Sequence, residues 1–290
     1  MYKTKLEAFE KSIRDFCDEY LVKHPPMLRD SIEYSLLSGG KRLRPLMFLE
    51  CYKMFGGVRT DYVSKIACAI ECIHISSLMH DDLPCLDDDD MRRGKPSNHI
   101  KYGEHIALLG GDALLNLAYE ALFDAIRESE GNPLVIKAAG VIAKGAGGNG
   151  MMGGQVVDLL LQKSGKTPKN PAREVDYIYR NKTGALFVLS LKAGAIMAGL
   201  SGVDLDKVAS FGMDFGISFQ LLDDYQDIQE LPKDAKINPM DNPYFAYIGL
   251  ESGLKTMETG IAAITQYLAD LKLRFDTTFF EDMIMTTFSL

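Results

Sequence analysis

The chain has 290 residues, of which 47% are hydrophobic and 25% charged, so it is long enough to bury a large core in one or two domains. Its 32 basic and 40 acidic residues give a net charge of −8, which argues against a nucleic-acid-binding surface and leaves small cationic or metal-bound partners open. The five cysteines follow no disulfide-framework spacing, no signal-peptide core precedes the first helix, and no apolar run reaches the length of a membrane span. We therefore expect a cytoplasmic protein with reduced cysteines and no stable membrane insertion.

Nearly the whole chain shows the hydrophobic period of amphipathic helices. The predicted helices cover residues 6–21, 27–38, 42–55, 62–83, 104–128, 133–144, 150–163, 171–199 and 204–230, with several more from residue 244 to the end. Alternation typical of strands is scarce, and neither a linker nor a repeat divides the chain. The sequence predicts an all-α fold, with residues 1–290 in a single domain.

An Asp-rich segment, HDDLPCLDDDDMRRG, directly follows the apolar helix predicted before it. Such a run of carboxylates repels itself and costs folding free energy unless something positive is bound. Most charge runs are solvated acidic loops, but this one begins where a buried helix ends. Pro84 disfavours helix at the residue before it, so we expect a turn that brings Asp87 back towards Asp81 and Asp82.

The segment KGAGGNGMMGGQ contains a glycine pattern that is typical of dinucleotide-binding sites. Gly145, Gly147 and Gly150 match G-x-G-x-x-G, but that motif needs a preceding strand and a βαβ unit, and both flanks here are predicted helices. We expect the glycines to allow close helix approach instead, which would bring Gln155 and Asp158 near the cavity.

A basic cluster and a second Asp-rich segment complete the polar pattern. GGKRLRP places Lys41, Arg42 and Arg44 at a helix start, where backbone N–H groups and guanidinium groups favour phosphate, although such a string alone is equally typical of a surface cluster. FQLLDDYQD places Asp223 and Asp227 four residues apart on one helix face, where like charges are destabilising unless a cation bridges them.

Two Asp-rich helix ends and nearby basic clusters predict Mg²⁺ ions that hold a diphosphate. Mg²⁺ prefers oxygen ligands and is usually bound through a few carboxylates and substrate phosphates, whereas the Asp-only ligand set argues against zinc. Cations around a diphosphate stabilise it as a leaving group, so an ester carbon could ionise to a carbocation that the apolar helices shelter from water.

Together these segments resemble the trans-isoprenyl (polyprenyl) diphosphate synthases of the short-chain farnesyl/geranylgeranyl type. DDLPCLDDDDMRRGKPSNH resembles the family's first Asp-rich motif and FQLLDDYQD its second, and GGKRLRP, ECIHISSLMHDD, NKTGAL and the GGQxxDL pattern also match. The resemblance implies an isoprenoid-synthase-like bundle of about ten or more helices around a central cavity, normally in homodimers.

The resemblance also implies roles for the residues that match the motifs. Asp81 and Asp87 would ligate two Mg²⁺ ions and Asp223 a third, with Asp82, Asp224 and Asp227 behind them or binding metal through water. The allylic diphosphate would be held by Arg92, Lys182, Thr183 and Gln220. The diphosphate of isopentenyl diphosphate would be held by Lys41, Arg44, His74 and Arg93. The residues expected to act directly in catalysis are Asp81, Asp87, Lys182 and Asp223.

The implied reaction is ionisation of the allylic substrate, attack by the isopentenyl double bond, and proton loss to the released pyrophosphate. The residue five before the first Asp floors the hydrocarbon pocket in this family. Here it is Ser76, followed by Ser77, and such small side chains leave the floor open. We therefore expect geranylgeranyl diphosphate, with farnesyl diphosphate as the shorter alternative.

The chain departs from the family pattern after Asp227. There Asp241 stands at an expected lysine and Phe245 at an expected proline, while Lys233 and Lys236 are candidates to replace the missing cations. This change predicts weaker catalysis or a poorly closed lid. It leaves open a low-activity or non-catalytic partner subunit of a prenyl synthase, and a class I terpene synthase is a further alternative.

Overall fold

The structure, a computed structural model, describes residues 1–163, 169–232, 236–238 and 242–288. These residues form fourteen α-helices, a π-helix and a short two-stranded hairpin. The prediction of an all-α fold with about ten or more helices is therefore confirmed. The chain divides into two compact units, residues 1–139 and 140–290, and the prediction of a single domain stays a prediction.

The first unit is built around one long buried helix. Its elements are α1 (Tyr2–Tyr20), α2 (Pro26–Leu36), α3 (Leu43–Met54), α4 (Asp61–Asp81), β1 (Met91–Arg92), β2 (Lys95–Pro96), α5 (Asn98–Tyr102) and α6 (Glu104–Glu128). Helix α4 is apolar on nearly all sides because it packs against α1, α2, α3 and α6. Cys68 and Cys72 are both buried in α4, where they contribute to this packing.

Helix α7 (Pro133–Ala146) contains the division between the units, and the second unit is built around α11. Its remaining elements are α8 (Met151–Lys163), α9 (Pro171–Ile178), the π-helix (Tyr179–Gly184), α10 (Ala185–Met197), α11 (Gly202–Glu230), α12 (Pro243–Ile248), α13 (Leu250–Lys272) and α14 (Thr278–Phe288). Helix α11 packs against α10, α13 and the π-helix, and the ring of Phe187 on α10 contacts the stacked rings of Phe215 and Phe219 on α11 at a tilt.

The glycine-rich segment forms no strand and opens a helix, as expected. An added Cβ on Gly145 would lie 2.7 Å from Leu189 of α10, and one on Gly154 would lie 2.1 Å from the backbone nitrogen of Lys182. These glycines therefore let helices approach closely, which confirms their predicted role.

Two helices of the described residues, α4 and α6, are long and apolar enough to cross a membrane by length and composition alone. The expectation that no stretch reaches this length was wrong, because it counted uninterrupted apolar runs and these helices contain scattered polar residues. The core helix of a soluble protein passes the same test, and 67% of the apolar window of α4 is buried.

Candidate functional site

The first Asp-rich segment folds back on the end of α4. Helix α4 ends at Asp81, and the backbone N–H of Asp87 donates to the carbonyl of Asp81 at 2.9 Å. Asp88 follows in a left-handed conformation with φ +57°. The turn predicted from Pro84 is therefore confirmed, and it brings the backbone of the two predicted metal-binding aspartates together.

Arg92, expected at the allylic diphosphate, is held by two carboxylates of the same segment. Its Nε donates to Asp82 Oδ1 at 2.8 Å, and its Nη2 donates to Asp89 Oδ2 at 2.7 Å. Asp82 is buried, and this burial raises its pKa while the hydrogen bond from Arg92 opposes the rise. The pairing places the guanidinium of Arg92 near Asp81. The side chain of Arg92 is only half-buried, so a ligand can still reach it.

Residues 39–44 gather the side chains expected to bind isopentenyl diphosphate. Arg44 Nη1 lies 3.3 Å from His74 Nε2 on α4. The guanidinium of Arg93 lies against Gly40, where an added Cβ would be 2.7 Å from its Cζ, and Arg93 also donates to a carbonyl of this segment. Lys41 is exposed, and its carbonyl accepts a hydrogen bond from a tyrosine hydroxyl of α1. Lys41 and Arg44 therefore belong to one short segment, which Arg93 contacts at a backbone carbonyl and His74 contacts through the side chain of Arg44.

The ring of His74 is neutral at physiological pH. Desolvation lowers its pKa well below the ordinary value, and Arg44 and Arg93 lower it further. Because a guanidinium can only donate, Nε2 of His74 accepts from Arg44 and the ring proton lies on Nδ1. The predicted binding role of His74 therefore rests on its contact with Arg44 rather than on a charge of its own.

In the second unit, the π-helix presents Lys182 to a buried carboxylate of α8. Lys182 Nζ lies 2.6 Å from Asp158 Oδ2, and Asp158 is only 4% exposed. The close approach at Gly154 makes this contact possible, because α8 touches the backbone of the π-helix there. Such π-turns are frequent at functional sites, and this one sets the direction of Lys182.

A chain of hydrogen bonds orders the neighbouring residues Thr183 and Gln220. The hydroxyl of Thr183 donates to Gln220 Oε1 at 2.9 Å, and Gln220 Nε2 donates to Asp224 Oδ1 at 2.8 Å. The buried Asp224 also accepts a hydrogen bond from Tyr179, and burial raises its pKa to about 6. Asp224 is therefore fixed inside the fold, whereas Asp223 is half-buried and Asp227 is exposed.

The donor chemistry of the Asp-rich segments fits Mg²⁺, but the part of the chain that the structure describes does not by itself complete a metal site. Within the described residues, no group of three or more His, Cys, Asp or Glu side chains is arranged to hold a metal ion. Mg²⁺ usually keeps several waters and takes one or two carboxylates together with substrate phosphates. The half-buried Asp81 and Asp223 and the exposed Asp87 offer such carboxylates, so these residues fit the ion only with a phosphorylated ligand present.

The two predicted chain-length residues lie near the C-terminal end of α4. Ser76 is 2% exposed and its hydroxyl donates to the carbonyl of Ile73, while half-buried Ser77 donates to the carbonyl of His74. Both hydroxyls are satisfied within the helix, so each serine presents little more than a methylene group to its surroundings.

Sequence reasoning missed the buried ion pairs of this site. Arg42, expected to act with its neighbours as a phosphate-binding cation, is 3% exposed and pairs with Glu10 and Glu71 instead. The three residues are far apart in the sequence, so only the apolar setting of Glu71 in α4 could have signalled a buried partner. Tyr179 as a partner of Asp224 carries no sequence signal of its own.

The altered segment after Asp227 is only partly described. Lys233 and Asp241 lie outside the described residues, and Lys236 is exposed. Phe245, at the position of the expected proline, is 2% exposed and packs against Tyr225 and Gly253. The aromatic residue at this position therefore contributes to the core of the second unit.

Comparisons with known proteins identify the family. A sequence model described as polyprenyl synthetase matches residues 25–239. The chain belongs to the polyprenyl synthetase family. It is 40% identical over 222 residues to "Geranylgeranyl pyrophosphate synthase, chloroplastic" of Catharanthus roseus, covering 75% of this chain and 61% of that relative. It is 37% identical over 243 residues to the geranylgeranyl diphosphate synthase of Cyanophora paradoxa, covering 81% and 79%.

The fold is that of a solved family member. The structure of an FPP/GFPP synthase from Zymomonas mobilis matches with a TM-score of 0.83 and 30% identity, over 99% of this chain and 98% of that chain. The isoprenoid-synthase-like fold is thereby confirmed. The chain spans about three fifths of the length of the chloroplast relatives, so its activity is a matter for proposal.

Proposed function

We propose that the chain is a short-chain trans-prenyltransferase that condenses isopentenyl diphosphate with dimethylallyl, geranyl or farnesyl diphosphate. Support comes from the family model over residues 25–239 and from a geranylgeranyl diphosphate synthase of which the match covers 79%. The product is geranylgeranyl diphosphate or farnesyl diphosphate. The small residues Ser76 and Ser77 favour the longer one, because they leave room for a longer hydrocarbon chain.

Besides family membership, one structural observation supports a condensing enzyme. Arg44, His74, Arg93 and Lys41 are gathered at one short segment of the first unit, as a binding site for a second diphosphate requires. A class I terpene synthase acts on one diphosphate and has no use for this cluster. The cluster therefore favours a condensing enzyme over a cyclase.

The allylic diphosphate is assigned to a different set of side chains. Asp81, Asp87 and Asp223 would hold three Mg²⁺ ions, which when bound supply the charge that stabilises the departing diphosphate. Lys182, directed by Asp158, donates to the same diphosphate, and Thr183 and Gln220, ordered by the hydrogen bond between them, line its site.

Arg92 reaches that diphosphate by exchanging part of its pairing with Asp82 and Asp89 for phosphate oxygens. No histidine or glutamate base is required, because the released pyrophosphate takes the proton.

Product analysis tests this function. The purified chain is incubated with isopentenyl diphosphate, Mg²⁺ and each allylic primer in turn, and the dephosphorylated products are separated by chromatography. We expect elongation to a twenty- or fifteen-carbon alcohol. Cyclised hydrocarbon would instead indicate a terpene synthase, and the absence of turnover would indicate a non-catalytic partner subunit, the candidate favoured by the altered segment after Asp227.

We also propose that the chain forms a homodimer through α6. Leu108 is 46% and Phe123 71% exposed, and the half-buried Leu115 and Tyr119 lie between them on the same face of the helix. Exposed apolar side chains of this size on one helix face are typical of an interaction surface, and the exposed Asp112 and Asn116 add polar groups to it. A cytoplasmic location, the absence of membrane insertion and the absence of nucleic-acid binding stay predictions.

A further inference from the structure

Residues 39–44, which we call the cation loop, carry or contact every side chain proposed to bind isopentenyl diphosphate. The loop itself supplies Lys41 and Arg44. His74 meets Arg44 from α4, and Arg93 donates to a backbone carbonyl of the loop. The positions of Lys41 and Arg44 relative to His74 and Arg93 therefore depend on the conformation of one short backbone segment.

Arg42, in the middle of the cation loop, points away from this site and into the first unit. Its Nε donates to Glu10 Oε1 at 2.8 Å, its Nη1 to Glu71 Oε1 at 2.7 Å, and its Nη2 to the carbonyl of Leu36 at 2.7 Å. The side chain has no exposed surface. Arg42 thus ties the loop to α1, α2 and α4 at once.

The backbone of the cation loop needs such a tie. Gly39, Gly40 and Arg42 all have positive φ values, of 81°, 128° and 47°. The left-handed conformation is uncommon for a residue with a side chain and persists only where the surroundings determine it. The three hydrogen bonds of the planar guanidinium fix its orientation, and with it the backbone on either side of Arg42.

We propose that Arg42 is a positioning residue for the isopentenyl diphosphate site. Held by Glu10 and Glu71, it fixes the cation loop so that Lys41 and Arg44 are presented to one diphosphate, without touching the substrate itself. This inference rests on the proposed function. It predicts that a change at the anchor weakens binding of isopentenyl diphosphate selectively, because the residues assigned to the allylic diphosphate lie outside the loop.

A matched pair of variants on α1 tests the inference. Glu10→Gln weakens the anchor, while Glu19→Gln in the same way weakens the contact at 2.7 Å between Glu19 and Lys65, which also ties α1 to α4 but lies outside the loop. Calorimetry measures the Kd of isopentenyl diphosphate, steady-state kinetics give both KM values and kcat, and thermal melting follows the fold. Arg42→Lys is the third variant, since it keeps the positive charge but loses the planar guanidinium that makes three hydrogen bonds at once.

For Glu10→Gln and Arg42→Lys we expect the Kd and KM of isopentenyl diphosphate to rise by about tenfold, and the KM of the allylic primer to change by less than about twofold. For Glu19→Gln we expect the Kd and KM of isopentenyl diphosphate and the KM of the allylic primer to stay within about twofold of those of the unchanged chain. The inference is overturned if Glu10→Gln binds isopentenyl diphosphate as the unchanged chain does, or if both KM values rise together. If the unchanged chain binds isopentenyl diphosphate but does not elongate it, only the proposed function is contradicted. The role of Arg42 is then still decided by comparing the Kd of isopentenyl diphosphate between Glu10→Gln and the unchanged chain.

Discussion

His74 illustrates how a single side chain depends on its surroundings in this protein. Inside an apolar helix it would by itself be taken for a core histidine, but Arg44 contacts its ring and holds it in one tautomer. Its lowered pKa means that the unfolded chain binds a proton at this residue near pH 6.5, whereas the folded chain does not. The contribution of His74 to stability is therefore fully present above about pH 6.5 and is lost as the pH falls below it.

Replacing His74 by Gln should reduce this acid sensitivity. Between about pH 7.5 and 5.5, the unfolding free energy of the unchanged chain should fall by roughly 1 kcal/mol more than that of His74→Gln. Urea unfolding at the two pH values gives the comparison, with His105→Gln, an exposed position on α6, as the control. Equal losses for the unchanged chain and His74→Gln would contradict a neutral His74.

Asp158 should act on catalysis through Lys182. Asp158→Asn removes the charge that directs the ammonium group, so we expect kcat to fall by about tenfold or more while the fold is retained. Asp176→Asn is the matched control, because it removes an exposed ion pair with Arg180 in the same π-helix. If the two variants have the same kcat, the direction of Lys182 does not matter to the reaction.

At the scale of elements, the sequence predicted features that depend on one residue's backbone preference, but it did not predict the π-helix or the contacts between residues far apart in the chain. The turn at Pro84 and the helix approach at Gly154 follow from single residues whose backbone preferences are strong. The π-helix was missed because its residues read as part of one continuous helix over 171–199. The partners of Arg42 could not be predicted, since Glu10 and Glu71 become neighbours only when α1 and α4 pack.

The contact between α8 and the π-helix can be tested at Gly154. An added Cβ would lie 2.1 Å from a backbone nitrogen, so Gly154→Ala must push the two elements apart, at a cost of roughly 1–3 kcal/mol in unfolding free energy. Gly148→Ala is the control, because its Cβ would meet nothing within 4 Å. Denaturant unfolding measures both, and a Gly154→Ala chain as stable as Gly148→Ala would show that the elements are not in close contact.

At the scale of the whole molecule, the resemblance in motifs predicted the family and the fold, which the comparisons confirmed. The assignment of residues to one reaction combines side chains of both units and stays a prediction. The homodimer is a further prediction at this scale, and it depends on the apolar face of α6.

Phe123→Asp should convert the dimer into a monomer. A carboxylate placed at this exposed apolar position would have to be desolvated at the interface, which disfavours association. Light scattering coupled to size-exclusion chromatography gives the mass of each form, and Gln229→Glu, at an exposed polar position of α11, serves as the control. A monomeric unchanged chain would contradict the proposed interface.

The most direct test measures how fast isopentenyl diphosphate is incorporated into an elongated product in the presence of Mg²⁺. Three chains are compared: the unchanged chain, Asp81→Asn and Asp88→Asn. Asp88 lies in the same acidic run as Asp81 but has no assigned role, and its left-handed conformation tolerates asparagine. We predict that the unchanged chain and Asp88→Asn elongate at similar rates, while Asp81→Asn is slower by on the order of 100-fold or more. Elongation by Asp81→Asn at the unchanged rate, or none by the unchanged chain, would contradict the account.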